Sequence, residues 1–163
     1  METKRMGDLY QTIAEKLNEI VPGEWCKIVL CAEIIPNDSS EVYFYFDTPQ
    51  NPEFVYSHYI PQIYGVSNRI YKDLLIEMHK LFEELQREFQ QHNNDVWYGL
   101  TLVLESTGKF KIEYDYDNPL ISELNSSQRQ YVWQYKNLGI LPKSKANRKF
   151  LEEYLKNHDE TQK

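Results

Sequence analysis

Apolar positions along the chain follow two periods, one helical and one alternating. Leu9, Ile13, Ala14, Leu17 and Ile20 recur every three or four residues, with Met6 and Tyr10 extending the stripe, so an amphipathic helix is expected here. Pro22 and Gly23 in "VPGEW" cannot continue a helix cheaply and close it. A longer stripe runs from Asn68 to about Gln91 through Ile70, Leu74, Leu75, Met78, Phe82, Leu85 and Phe89. Ser67 is its expected N-cap, and "HNND" offers no strong helix former to extend it.

Between these stripes the period drops to two, the signature of half-buried strands. In "EWCKIVLCAEI" the residues Cys26, Ile28, Leu30, Ala32 and Ile34 share a face, opposite Trp25, Lys27, Val29, Cys31 and Glu33. "EVYFYFDT" places Val42, Phe44 and Phe46 opposite Tyr43, Tyr45 and Asp47, and "FVYSHYI" predicts a third strand. The turns "PNDSSE" and "PQNPE" are short, so these strands form an antiparallel meander. After the long helix, "VWYGLTLVLES" and "KFKIEYDYD" make two more strands around the Gly108 turn. In the second, Phe110, Ile112, Tyr114 and Tyr116 are expected to pack inward, with Lys111, Glu113, Asp115 and Asp117 pointing away. Helices over Ser126–Asn137 and Ser144 to about Asn157 finish the pattern.

The order is α-β-β-β-α-β-β-α-α, without the repeating β-α-β rhythm of a doubly wound sheet. The economical fold is α+β, a single domain with a five-stranded, mainly antiparallel sheet and helices packed on one face. Its span is 1–158, and 159–163 is expected to fray. The uncovered face would carry the tyrosines and the acids. Strand order across the long helix is not readable from periodicity.

Charge adds a constraint on partners. The net charge is -7, and residues 1–142 hold 12 Lys and Arg against 21 Asp and Glu, while 143–163 hold 6 against 4. An acidic body argues against nucleic-acid binding, which needs Lys and Arg gathered on one face. It fits a basic protein partner, and it fits a requirement for solubility alone. Cys26 and Cys31 lie on opposite strand faces, so a disulfide between them is excluded, and free buried thiols suit a reducing cytosol. "METKRMGDLY" has no signal-peptide core and no run approaches about 18 apolar residues. A cytoplasmic protein without membrane contact is expected.

Catalytic patterns are sparse. HExxH, GxxxxGK and GxGxxG are absent. His79 with Glu83, and Glu88 with His92, have the i,i+4 spacing of metal ligands but read more simply as a solvated helix face. His58, beside two tyrosines in "YSHYI", has no Ser or Cys partner fixed by spacing. Glu113, Asp115 and Asp117 share a face as divalent-ion ligands can, yet the stretch lacks the glycine of a tight calcium loop. A metal-dependent enzyme using these three carboxylates with His58 is one alternative, and an acidic adaptor with another basic partner is a second. The 13 tyrosines fit an interface, because tyrosine is amphipathic and loses little entropy on binding, and they fit a partly polar core as well. The candidate partner surface is therefore Glu113, Asp115, Asp117, Asp47, Tyr43, Tyr45 and His58, with no cofactor or metal expected.

The segments "EVYFYFDTP", "YSHYIP", "LTLVLESTGKFKIEYDY" and "VWQYKNLGILP" together resemble the YezG-like immunity proteins of Gram-positive bacteria. The likeness runs in order from Leu9 to Pro142, with Tyr59 standing where relatives often carry an acid. It implies a non-enzymatic antitoxin paired with a secreted LXG-type polymorphic toxin. The partner would be that toxin's C-terminal domain, a nuclease with a basic cleft. The resemblance carries no residue-level map of the contact.

Overall fold

The computed structural model of the chain describes residues 2–158, so the expected frayed tail lies outside the described residues. The chain divides into two compact units, Met1–Asn118 and Pro119–Lys163.

In the first unit, α1 spans Lys4–Ile20, and Thr3 caps it by accepting a bond from the Met6 amide at 3.1 Å. Strands β1 (Lys27–Ile35), β2 (Ser39–Thr48) and β3 (Asn51–Tyr56) follow as a meander. The chain then turns through a 3-10 segment, Ser57–Tyr59, into the short helix α2, Ile60–Tyr64. The third strand is thus shorter than its apolar run suggests. Pro61 sits in the first turn of α2, where its fixed φ and missing amide suit helix entry rather than a strand. Helix α3 covers Asn68–Asn93 with Ser67 as N-cap, and β4 (Gly99–Glu105) and β5 (Phe110–Asp115) complete the unit.

The sheet is antiparallel throughout, in the order β3-β2-β1-β4-β5. The connection through α3 therefore places β4 beside β1, which periodicity could not reveal. One face is dry: Ile13 and Leu17 of α1 and Met78, Phe82 and Leu85 of α3 join Ile28, Leu30, Phe44, Phe46 and Leu102 in one core. Gln86 is the polar exception in α3. Its side-chain amide donates to the Ile34 carbonyl at 2.9 Å and the Trp97 carbonyl at 2.7 Å, tying the helix to the adjacent strands β1 and β4 at one end of the sheet. Arg5–Glu84 at 2.7 Å and Lys16–Glu77 at 2.8 Å bridge α1 and α3 at the surface.

Two expectations fail. Cys26 is exposed rather than buried, because β1 begins only at Lys27 and the residue lies before the covered strand. Phe110 and Tyr116 face inward, with rings 5.9 Å from Tyr10 and 6.2 Å from Phe89, but they stay 51% and 47% exposed rather than buried, because Phe110 starts the edge strand and Tyr116 lies just past its end.

The second unit is a helical hairpin. Helix α4, Ser126–Leu138, starts with a reciprocal capping box between Asn125 and Gln128 and stops at Gly139, whose φ of 68° favours glycine. Helix α5, Lys145–Asn157, starts at the Ser144 cap. Asn147 donates to the Tyr131 hydroxyl at 2.9 Å across the pair, and Val132 and Leu151 are buried.

Candidate functional site: an acidic strand on a tyrosine-rich sheet

Register aligns the second face of the sheet in rows. Cys31 pairs with Tyr43 on one side and Thr101 on the other, and Thr101 pairs with Glu113. The next row holds Tyr45, Val29, Val103 and Lys111, and a further one holds Glu41, Glu33, Gly99 and Asp115. The alternation in the sequence thus sorted tyrosines and acids onto one face correctly. The expectation that this face is uncovered is corrected at its centre. Tyr43 and Tyr45 are each 5% exposed and Val29 is 2% exposed. Tyr45 and Tyr56 pack as a tilted pair with centroids 5.1 Å apart, and Tyr43 meets both rings edge-on. Burial pushes the Cys31 thiol up to about 12 and raises Tyr43 further, so neither ionises near neutrality. Tyrosine composition signals amphipathic surroundings, and here those surroundings lie largely inside the protein.

Exposure returns at β5. Glu113, Asp115 and Asp117 are all exposed. Lys111 Nζ stands 2.8 Å from Glu113 Oε1, and that hydrogen bond raises the lysine pKa. Both partners are mostly solvated, so the pair organises charge more than it stabilises the fold. Asp115 Oδ1 accepts the Asp117 amide at 2.9 Å, an Asx turn that ends the strand. Three carboxylates therefore accompany one ammonium group along this strip.

The other predicted residues lie elsewhere. Asp47 sits on β2, three strands from β5 and about 14 Å away at ordinary strand spacing. Its carboxylate accepts the Lys27 amide at 2.9 Å and its carbonyl accepts the Cys26 amide at 2.9 Å, so it fastens the start of β1. His58 follows β3 at the opposite end of the sheet order. Its Nδ1 lies 2.8 Å from the Tyr71 hydroxyl, its ring packs on Tyr56 at 5.0 Å, and partial burial with the nearby His79 lowers its pKa. The acids of β5 and His58 do not converge.

Among the described residues, no three His, Cys, Asp or Glu side chains gather as a metal centre would. The i,i+4 pairs on α3 take separate partners: His79 Nδ1 is 2.6 Å from Ser40 Oγ, while Glu88 accepts Thr3 Oγ1 at 2.9 Å and lies 3.2 Å from His92. No described helix is long and apolar enough to cross a membrane.

One exposed surface was missed by sequence reasoning. Tyr59, Ile63, Tyr64 and Ile70 are all exposed around α2, and from Ser57 to Tyr71 the only Lys, Arg, Asp or Glu is Arg69. Low charge density over this stretch was the available signal, but Tyr59 fell in the expected third strand, Ile63 and Tyr64 in a connection, and Ile70 on the apolar stripe of the long helix.

The family model for "Immunity protein YezG-like" matches residues 6–152. The chain belongs to this family. It is 54% identical over 159 residues to the immunity protein YezG of Bacillus spizizenii, covering 98% of each chain. Over 150 residues it is 51% identical to the immunity protein YezG of Bacillus subtilis, covering 92% of this chain and 99% of the relative. The type VII secretion system protein EsaG of Staphylococcus aureus is 29% identical over 160 residues, 96% of this chain and 98% of that one. An immunity protein is an inhibitor, not an enzyme. Glu113, Asp115 and Asp117 all lie within the matched span.

Proposed function

We propose that this immunity protein acts in the cytoplasm, where it binds and inhibits the C-terminal domain of a cognate secreted LXG-type toxin. That domain is a nuclease, and the acidic strip of β5 meets its basic cleft. The observation that carries this reading is the exposure of Glu113 and Asp115 on β5, and of Asp117 in the turn that ends it, beside Lys111. A nuclease must attract phosphates, so its cleft is positive, and an acidic inhibitor surface is complementary to it. Such complementarity speeds encounter and occupies the space that nucleic acid would need. The likeness to a type VII secretion system protein supports a secreted toxin as the partner.

Within this reading Asp47 and His58 are peripheral, because each is engaged inside the protein. Tyr43 and Tyr45 are buried on β2, three strands from β5, and do not touch the toxin. The test is co-purification of the full chain with the C-terminal domain of a toxin encoded beside it, followed by a nuclease protection assay. A stable complex and protected DNA or RNA are expected. A toxin domain that cleaves neither DNA nor RNA by itself would remove the nuclease assignment, a complex that still cleaves would remove the inhibition, and absence of a complex would remove the pairing.

A further inference from the structure

Both edges of the sheet are single strands, but they are guarded differently. β3 carries Pro52, and its pairing with β2 shifts register between Phe46 and Thr48. A proline and an irregular ladder are ordinary defences against unwanted pairing. β5 runs from Phe110 to Asp115 with neither device, and Pro119 comes only after the strand.

The phase of the ladder shows what that edge offers. The Glu105 amide donates to the Lys109 carbonyl at 2.8 Å, and Val103, Thr101 and Gly99 continue opposite Lys111, Glu113 and Asp115. In an antiparallel ladder, alternate residues turn their backbone groups to opposite sides. Lys109, Lys111, Glu113 and Asp115 therefore turn theirs toward β4, and Phe110, Ile112 and Tyr114 turn theirs toward the outer edge.

We infer that this edge pairs with the same edge of a second copy of the chain, antiparallel about Ile112, joining two sheets into one. The charges select this occupant. Rotation about Ile112 sets Lys111 opposite Glu113 of the second copy and Lys109 opposite Asp115 of the second copy. All four lie on one face, and the arrangement occurs twice by symmetry. An edge guarded against itself would bring like charges together, whereas "KFKIEYD" is basic in its first half and acidic in its second. The Lys111–Glu113 pair is a close non-hydrogen-bonded one, the geometry in which cross-strand side chains interact most.

The apolar face agrees. Phe110 falls opposite Tyr114 of the second copy, and Ile112 meets its own counterpart. A cleft of about 290 Å³ lies on this side of β5, lined by Met6, Tyr10, Phe89, Phe110, Ile112 and Tyr114 among others. Phe110, 51% exposed in the single chain, is carried toward the corresponding cleft of its partner copy. The carboxylates involved include two of those proposed for the toxin, so self-pairing and toxin capture compete for the same strand.

The test is sedimentation velocity on the full chain over a concentration series at low salt, without toxin. A reversible dimer is expected. Lys109→Glu, an exposed turn substitution, should weaken it by about tenfold or more, because the like-charge contact occurs twice. The exchanged pair Lys109→Asp with Asp115→Lys should restore it. Hydrogen exchange gives a readout that needs no variant: the amides of Phe110, Ile112 and Tyr114 should slow as concentration rises. A chain that stays monomeric at millimolar concentration, or a dimer indifferent to Lys109→Glu, overturns the inference. Protection of these amides by a toxin domain but never by concentration would also overturn it, and would assign the edge to the toxin.

Discussion

Gly99 on β4 faces Asp115 on β5, and a Cβ at Gly99 would stand 3.2 Å from the Asp115 Cβ. The missing side chain leaves room for the acid that ends the exposed strip. Alanine there crowds Asp115, but it also removes the roughly 0.5–1 kcal/mol penalty that glycine carries inside a strand. Gly99→Ala should therefore stay within about 1 kcal/mol of the parent in urea denaturation. Its effect should appear instead in the Asp115–Asp117 turn, as faster exchange of the Asp117 amide. An unchanged Asp117 amide would show that Asp115 does not depend on this space.

Charge steering by β5 makes a separate prediction. Replacing Glu113 with Gln and Asp115 and Asp117 with Asn should slow association with the toxin domain by about tenfold at low ionic strength. The difference should shrink as salt rises toward 1 M, where the Debye length is about 3 Å. Lys111→Gln should act in the opposite direction, because it removes the ammonium that now offsets Glu113. Stopped-flow association across a salt series measures all of this. Equal rates and salt slopes would move the interface away from β5, with the uncharged surface of Tyr59, Ile63, Tyr64 and Ile70 the next to test.

How much of this was legible beforehand depends on distance along the chain. The stripe of Met78, Phe82 and Leu85 and the alternation of Val42, Phe44 and Phe46 declare helix and strand locally, because the same residues are buried in the fold. The face shared by Tyr43 and Glu113 was also readable, since side chains alternate strictly. What separates those two residues was not. Tyr43 is in the middle strand of the meander and Glu113 at an edge, and the placement of β4 beside β1 is what puts β1 and β4 between them. The same long-range information decides that Phe110 is exposed. His58 and Asp47 have suitable chemistry for a site, but their partners Tyr71 and Lys27 lie 13 and 20 residues away and engage them internally.

Gln86 shows what a buried polar side chain contributes when its bonds are complete. It is 4% exposed and satisfies the carbonyls of Ile34 and Trp97, which the β-ladder leaves at one end of the sheet. Gln86→Met keeps the length of the side chain and removes both donors. Each orphaned buried carbonyl costs about 1–3 kcal/mol, so a loss of about 2 kcal/mol or more is expected in urea denaturation. The slope of the transition should be unchanged, since the surface exposed on unfolding is nearly the same. A neutral result would mean that water reaches both carbonyls.

Acid sensitivity should be concentrated in two histidines on the β3–α3 side of the sheet. His58 contacts Tyr56 and Tyr71, and His79 bonds to Ser40 with Glu83 nearby. Burial lowers both pKa values from 6.5, His79 lowers that of His58 further, and Glu83 offsets part of the shift at His79. The unfolded chain therefore takes up protons first as pH falls, so it binds more of them than the folded chain between 6.5 and the lowered folded values. Stability rises with pH wherever that holds. The contribution is fully present above about pH 6.5 and is lost as pH falls through the folded pKa of each imidazole. Denaturation midpoints should accordingly drop between pH 7 and pH 5. His58→Gln and His79→Gln should each flatten the profile while lowering its neutral plateau, because Tyr71 and Ser40 lose a ring nitrogen as partner. A double variant whose profile keeps the parent slope would place the acid sensitivity in carboxylates instead.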